Sequence, residues 1–124
     1  MEIKITDGKV SRVAGRLDTE RTPLAHRARV IANYLPLEAQ RLGADIVHNE
    51  DAHYTGIRFN TKAGAVVLEI PPAGGSYRLV LEFDEPDEKT GKTGKVLQQI
   101  PQLYSPNGIA LQTYEFLRSR GFLK

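Results

Sequence analysis

Three runs in the middle of the chain alternate apolar and polar side chains, and their spacing leaves few folds open. Thr55, Ile57 and Phe59 alternate with Gly56, Arg58 and Asn60. Val66, Leu68 and Ile70 alternate with Val67 and Glu69. Tyr77, Leu79, Leu81 and Phe83 alternate with Arg78, Val80 and Glu82. A period of two is that of a strand with one buried face. The breaks, residues 60–64 and Pro71-Pro72-Ala73-Gly74-Gly75, are turn formers short enough to join antiparallel neighbours. Side-chain chemistry also sets the register. If Ile70 opposes Tyr77, then Glu69 meets Arg78 and Val67 meets Val80, so opposite charges and like surfaces pair. A slip of one residue would put Arg78 among the apolar side chains.

The flanks supply helices. Thr22-Pro23 is a cap followed by a residue suited to the first helical position. Leu24, Ala28, Ile31 and Leu35 then recur at helical spacing. Pro36 predicts a kink or restart, and Gly43 a stop. Ser105-Pro106 repeats the start signal, Ala110, Tyr114 and Leu117 form a stripe widened by Ile109 and Phe116, and Gly121 ends it. Residues 1–6 and 9–14 alternate around Asp7-Gly8, which predicts an N-terminal hairpin, and Ile46-Val47 a short strand. Residues 84–95 read as a mobile polar loop, and residues 96–103 fit either strand or helix. The expected fold is α+β, a mainly antiparallel sheet packed by two helices.

Composition narrows the function. The chain has 124 residues, 40% of them hydrophobic and 26% charged. One domain over residues 1–124 is expected, because a chain of this length buries roughly two thirds of its unfolded surface. With no cysteine there is no disulfide framework, thiolate metal site or thiol nucleophile. No run approaches the roughly 20 apolar residues of a membrane span, and the first residues have no secretory apolar segment. A cytoplasmic protein without a membrane partner is expected. The net charge of +2 hides a basic cluster (Lys9, Arg12, Arg16, Arg21, Arg27, Arg29) and an acidic run over residues 82–88. A nucleic-acid module would carry a longer basic stripe.

Each chemical motif has a plainer reading beside it. Gly91-Lys92-Thr93 has the end of a phosphate-binding loop, but Pro86 stands where that motif needs its first glycine. A flexible loop is the stronger reading. His48, Glu50, Asp51 and His53 are metal-ligand types, yet their segment also reads as a polar turn between strands. No serine lies in a Gly-x-Ser-x-Gly elbow. Catalytic residues, cofactor and metal are therefore expected to be none, and the protein is expected not to be an enzyme.

Two binding surfaces are suggested instead. Arg21, Thr22, His26 and Arg27 cluster at a helix start, where acids are the usual choice, so an anion could supply the missing charge. Asp18, Glu20 or another chain could instead neutralise the arginines, and that plainer reading is the stronger. Arg58, Arg78, Phe83, Tyr104 and Asn107 combine guanidinium, aromatic and amide groups that suit a nucleotide. Phe83, however, shares the strand parity of Leu79 and Leu81 and could be a core residue.

The segment Asp18-Thr19-Glu20-Arg21-Thr22-Pro23-Leu24-Ala25-His26-Arg27, with the size, the sheet-plus-two-helices layout and the missing catalytic groups, resembles the first described Thoeris anti-defence family of phage proteins. The resemblance implies a homo-oligomeric sponge in the host cytoplasm. It would sequester, without cleaving, a small cyclic nucleotide immune signal, either a cyclic ADP-ribose isomer made by TIR-domain enzymes or a cyclic oligonucleotide. That family's pockets use aromatic, Arg and Asn side chains between protomers, and Phe83, Arg58 and Asn107 are of those types. The rival reading is a protein–protein inhibitor of a host nuclease or defence complex, with the acidic run imitating nucleic-acid phosphate. A hydrolase using His48 or His53 with Glu50 is a third.

Overall fold

The computed structural model describes residues 5–6, 9–10, 23–49, 54–72, 75–102 and 104–123. Among these residues, seven antiparallel strands follow one another across a single sheet in chain order. The first two, β1 (Ile5–Thr6) and β2 (Lys9–Val10), are two residues each. They pair Ile5 with Val10 and Thr6 with Lys9. The rest of the expected N-terminal hairpin lies outside the described residues. The body of the sheet is β3 (Asp45–Asn49), β4 (Tyr54–Thr61), β5 (Gly64–Ile70), β6 (Tyr77–Glu82) and β7 (Gly94–Ile100).

The β5–β6 register is the one that side-chain chemistry demands: Glu69 faces Arg78, Leu68 faces Leu79 and Val67 faces Val80. Ile57, Phe59, Val66, Leu68, Ile70, Tyr77, Leu79 and Ile100 all turn to one face and are buried there. Two long helices cover this face. Helix α1 (Pro23–Asn33) buries Ala25, Ala28 and Ile31. Helix α3 (Pro106–Ser119) buries Ile109, Ala110, Thr113, Phe116 and Leu117. Between them, Pro36 ends the first helical path and caps the one-turn α2 (Leu37–Gln40). Among the described residues the expected two helices are thus two long ones and a short third. Gly43 (φ +106°) stops α2 in the left-handed conformation that glycine tolerates best.

Three expectations over the second half are refined. The ambiguous stretch 96–103 supplies strand: β7 already starts at Gly94, and Ile100 pairs with Tyr77. Ser105 caps α3, its Oγ accepting from the Gly108 amide at 3.2 Å. The segment 83–93 is not an unstructured loop. Its own hydrogen bonds cross it repeatedly, from Phe83 N to Thr93 O (2.8 Å), Asp87 N to Lys92 O (2.8 Å) and Gly91 N to Asp87 O (2.7 Å). Among the described residues no helix is long and apolar enough to cross a membrane.

Candidate functional site

The sheet face away from the helices carries the chemistry. Alternation sends Arg58, Val67, Glu69, Arg78, Val80 and Glu82 to this side. Two ion pairs cross it. Arg78 donates from Nε and Nη2 to Glu69 Oε1 at 2.9 and 2.6 Å, directly across the β5–β6 ladder. Arg58 on β4 reaches Glu82 on β6, with Nη2 2.8 Å from Oε1. That pair spans β5. It passes over Val67, which is 1% exposed on the face turned away from the described helices.

Beside these pairs the 83–93 segment and the start of β7 border a groove of about 850 Å³. Its floor is Val67, Val80 and Val96. Glu69, Arg78, Glu82, Phe83, Lys92 and Lys95 are also among its lining residues. Gly94 lets β7 approach closely, since a Cβ there would lie 2.9 Å from Val80 Cγ1 and 3.0 Å from Leu81 O. Phe83 is a correction to strand parity. The strand ends at Glu82, and the ring lies at the groove, 37% exposed, not in the core with Leu79 and Leu81.

Gly91-Lys92-Thr93 borders the same groove, but its geometry is not that of a phosphate cradle. The Thr90 amide and hydroxyl both donate to Asp87 Oδ2, at 2.9 and 2.8 Å. The Lys92 amide donates to Thr90 Oγ1 (3.2 Å), and the Gly91 amide to the Asp87 carbonyl. Donors that a phosphate-binding loop turns to its ligand are here turned inward. The Thr90 hydroxyl first, and its amide second, hold the Asp87 carboxyl below its ordinary value. What remains for a ligand is the ammonium group of Lys92, not the loop backbone.

The second expected cluster lies on the helix side. Pro23, His26, Arg27, Val30 and Pro106 line a cavity of about 490 Å³ where the starts of α1 and α3 come together. Arg27 Nη1 donates to the hydroxyl of the buried Tyr77 at 3.3 Å. Among the described residues no carboxylate pairs with Arg27. Tyr104 (40% exposed) and Asn107 stand at the start of α3, on this side too. Arg21 and Thr22 lie outside the described residues. The six described residues of the eight expected to bind a ligand therefore do not form one site within a chain: Arg58 and Phe83 are on the outer sheet face, and His26, Arg27, Tyr104 and Asn107 on the helix side.

No family model, curated protein or solved structure matches this chain.

Of the candidate metal ligands only His48 lies among the described residues. His48 Nδ1 is 2.8 Å from the hydroxyl of buried Thr55, and Glu50, Asp51 and His53 lie outside the described residues. Among the described residues no three His, Asp or Glu side chains converge to hold a metal ion. Sequence reasoning missed Val96, and it set Lys92 aside as part of a flexible loop. The available signal was the apolar residues on a nominally polar face: Val67 and Val80 mark a surface that is not simply solvated.

Proposed function

We propose that this protein is a non-enzymatic binder that sequesters a small cyclic nucleotide of the immune-signal type, held in the outer groove. The observation that carries this reading is the groove itself. Its volume of about 850 Å³ falls in the range of small-molecule sites, roughly 300–1,000 Å³. Its apolar floor and exposed Phe83 suit a base, and Arg78 and Lys92 suit phosphate. Self-association and residence in a host cytoplasm belong to the same proposal and rest on the resemblance alone.

Calorimetry against cyclic ADP-ribose isomers and cyclic di- and trinucleotides tests it. Phe83→Ala is expected to weaken binding roughly tenfold or more, the effect of losing one base–aromatic stack. Absence of binding by all these ligands rejects the ligand class. Recovery of an altered nucleotide from the denatured complex rejects sequestration without cleavage.

A second reading, the protein–protein inhibitor, draws on the exposure of Asp84, Glu85 and Glu88 along the 83–93 segment. Its acidic surface is smaller than the sequence suggests. Glu82 is engaged by Arg58, and Asp87 by Thr90. Reversing the charges at 84, 85 and 88 would abolish activity on this reading and leave it intact on the first.

A further inference from the structure

We infer that Glu69 is a positioning residue that presents Arg78 to an anion offering two oxygens side by side, a phosphate or carboxylate group, in the outer groove. This deepens the function proposed above and rests on the same groove, but commits to its anion contact. A guanidinium carries five N–H donors in one plane. Arg78 directs two of them, on Nε and Nη2, to the single oxygen Oε1 of Glu69 at 2.9 and 2.6 Å. Its remaining donors, two on Nη1 and one on Nη2, have no partner among the described residues. They form the other fork of the guanidinium, the shape that takes a carboxylate or phosphate bidentately.

Three observations place this fork in a binding context. Both members of the pair line the groove. The Arg78 side chain is 49% exposed while that of Glu69 is 20% exposed, so the anchor is sheltered and the presented group is open. The strand register sets the two residues opposite each other, so the backbone and not a flexible loop fixes the pair. The valine floor and Phe83 lie in the same groove for the body of such a ligand. The ligand class is accordingly an aromatic or apolar body bearing one phosphate or carboxylate group at Arg78.

The test uses two probes that share an aromatic body, phenyl phosphate and benzoate, titrated into the full chain while the arginine Nε–Hε resonances are followed by NMR. Phenyl phosphate, benzoate or both are expected to shift the Arg78 resonance saturably. A response to one alone tells phosphoryl from carboxyl. Arg78→Lys keeps the charge but loses the fork, and is expected to bind roughly tenfold or more weakly, the loss of one hydrogen bond to a charged group. Glu69→Ala is expected to weaken binding similarly. Glu69→Gln keeps the accepting oxygen and is expected to retain affinity within about threefold of the native chain. Tighter binding by either Glu69 variant would show that this carboxylate competes with the ligand, and would overturn the inference. So would an Arg78 resonance unmoved by both probes. Phenyl phosphate binding without any cyclic nucleotide binding would reject the proposed function and leave the Glu69–Arg78 assignment standing.

Discussion

Gly56 sits where a side chain does not fit. It lies on β4 opposite Glu69, and a Cβ there would come within 2.6 Å of the Leu68 carbonyl oxygen and 2.7 Å of Val67 Cγ1. The first of these neighbours is backbone and cannot swing away. Gly56→Ala is therefore expected to cost about 3 kcal/mol, the upper end of overpacking penalties. It should lower the urea midpoint at unchanged slope. Asp87 carries a different kind of residue-level constraint. Its carboxyl is held below its ordinary value of 3.8 chiefly by the Thr90 hydroxyl and amide. A depressed folded-state value means the contact contributes fully above the ordinary value and is lost as pH falls through the depressed one. On acidification below about pH 4, the Thr90 amide is expected to lose hydrogen-exchange protection, measured against its intrinsic rate at each pH, while the β5 amides do not. Equal loss of protection by both would show that the turn does not depend on this carboxylate.

At the scale of elements, the ends of helices and strands separate what was legible in the sequence from what was not. Ser105 was legible, because a capping residue followed by proline has one local meaning. Ser105→Ala is expected to destabilise the protein by about 1 kcal/mol, and Ser105→Gly by only a few tenths, since glycine frees the same amides to water. Chemical denaturation of the two variants side by side checks it. The β5–β6 register was legible for a similar reason: Glu69 opposite Arg78 and Val67 opposite Val80 leave one alignment without a buried charge. Phe83 was not legible. Parity predicts the core for as long as a strand continues, and nothing local says that β6 stops at Glu82. The order of the 83–93 segment was hidden too. It depends on Asp87 meeting Thr90 and on Phe83 meeting Thr93 across the hairpin, pairings that no periodicity announces. Helix α2 was half legible, since Pro36 marked the break but not that a further turn would follow. Its Glu38 accepts from the Tyr114 hydroxyl at 3.2 Å, tying α2 to α3. Partial burial first, and the Glu38 carboxylate second, raise that phenol above its ordinary value.

On the scale of the whole molecule, the sheet is a wall between two concave surfaces. The helix side holds the core and, where α1 and α3 begin, the cavity with His26 and Arg27. The outer side holds the groove with Phe83, Arg78 and Lys92. Ligand binding and stability should then separate by face. Phe83 is exposed and outside the core cluster, so Phe83→Ala should leave the melting temperature almost unchanged while it weakens nucleotide binding. Leu68 is fully buried on the helix side, and Leu68→Ala should cost about 2–5 kcal/mol. Arg27→Ala is the deciding variant. Its guanidinium meets the Tyr77 hydroxyl on the helix side, and the wall of β-structure keeps it from the groove of its own chain. If each chain binds ligand alone, Arg27→Ala should leave nucleotide affinity within about twofold, as expected for sites that share no partner. A loss as large as that of Phe83→Ala has a different meaning. The helix-side cavity of one chain would then have to meet the groove of another, because no rearrangement short of opening the sheet brings Arg27 and Phe83 of one chain to the same ligand. Mixing the two variants distinguishes these cases. Chains that each lack one residue would restore binding only if a site is built from two protomers, and would remain additive if each chain binds by itself.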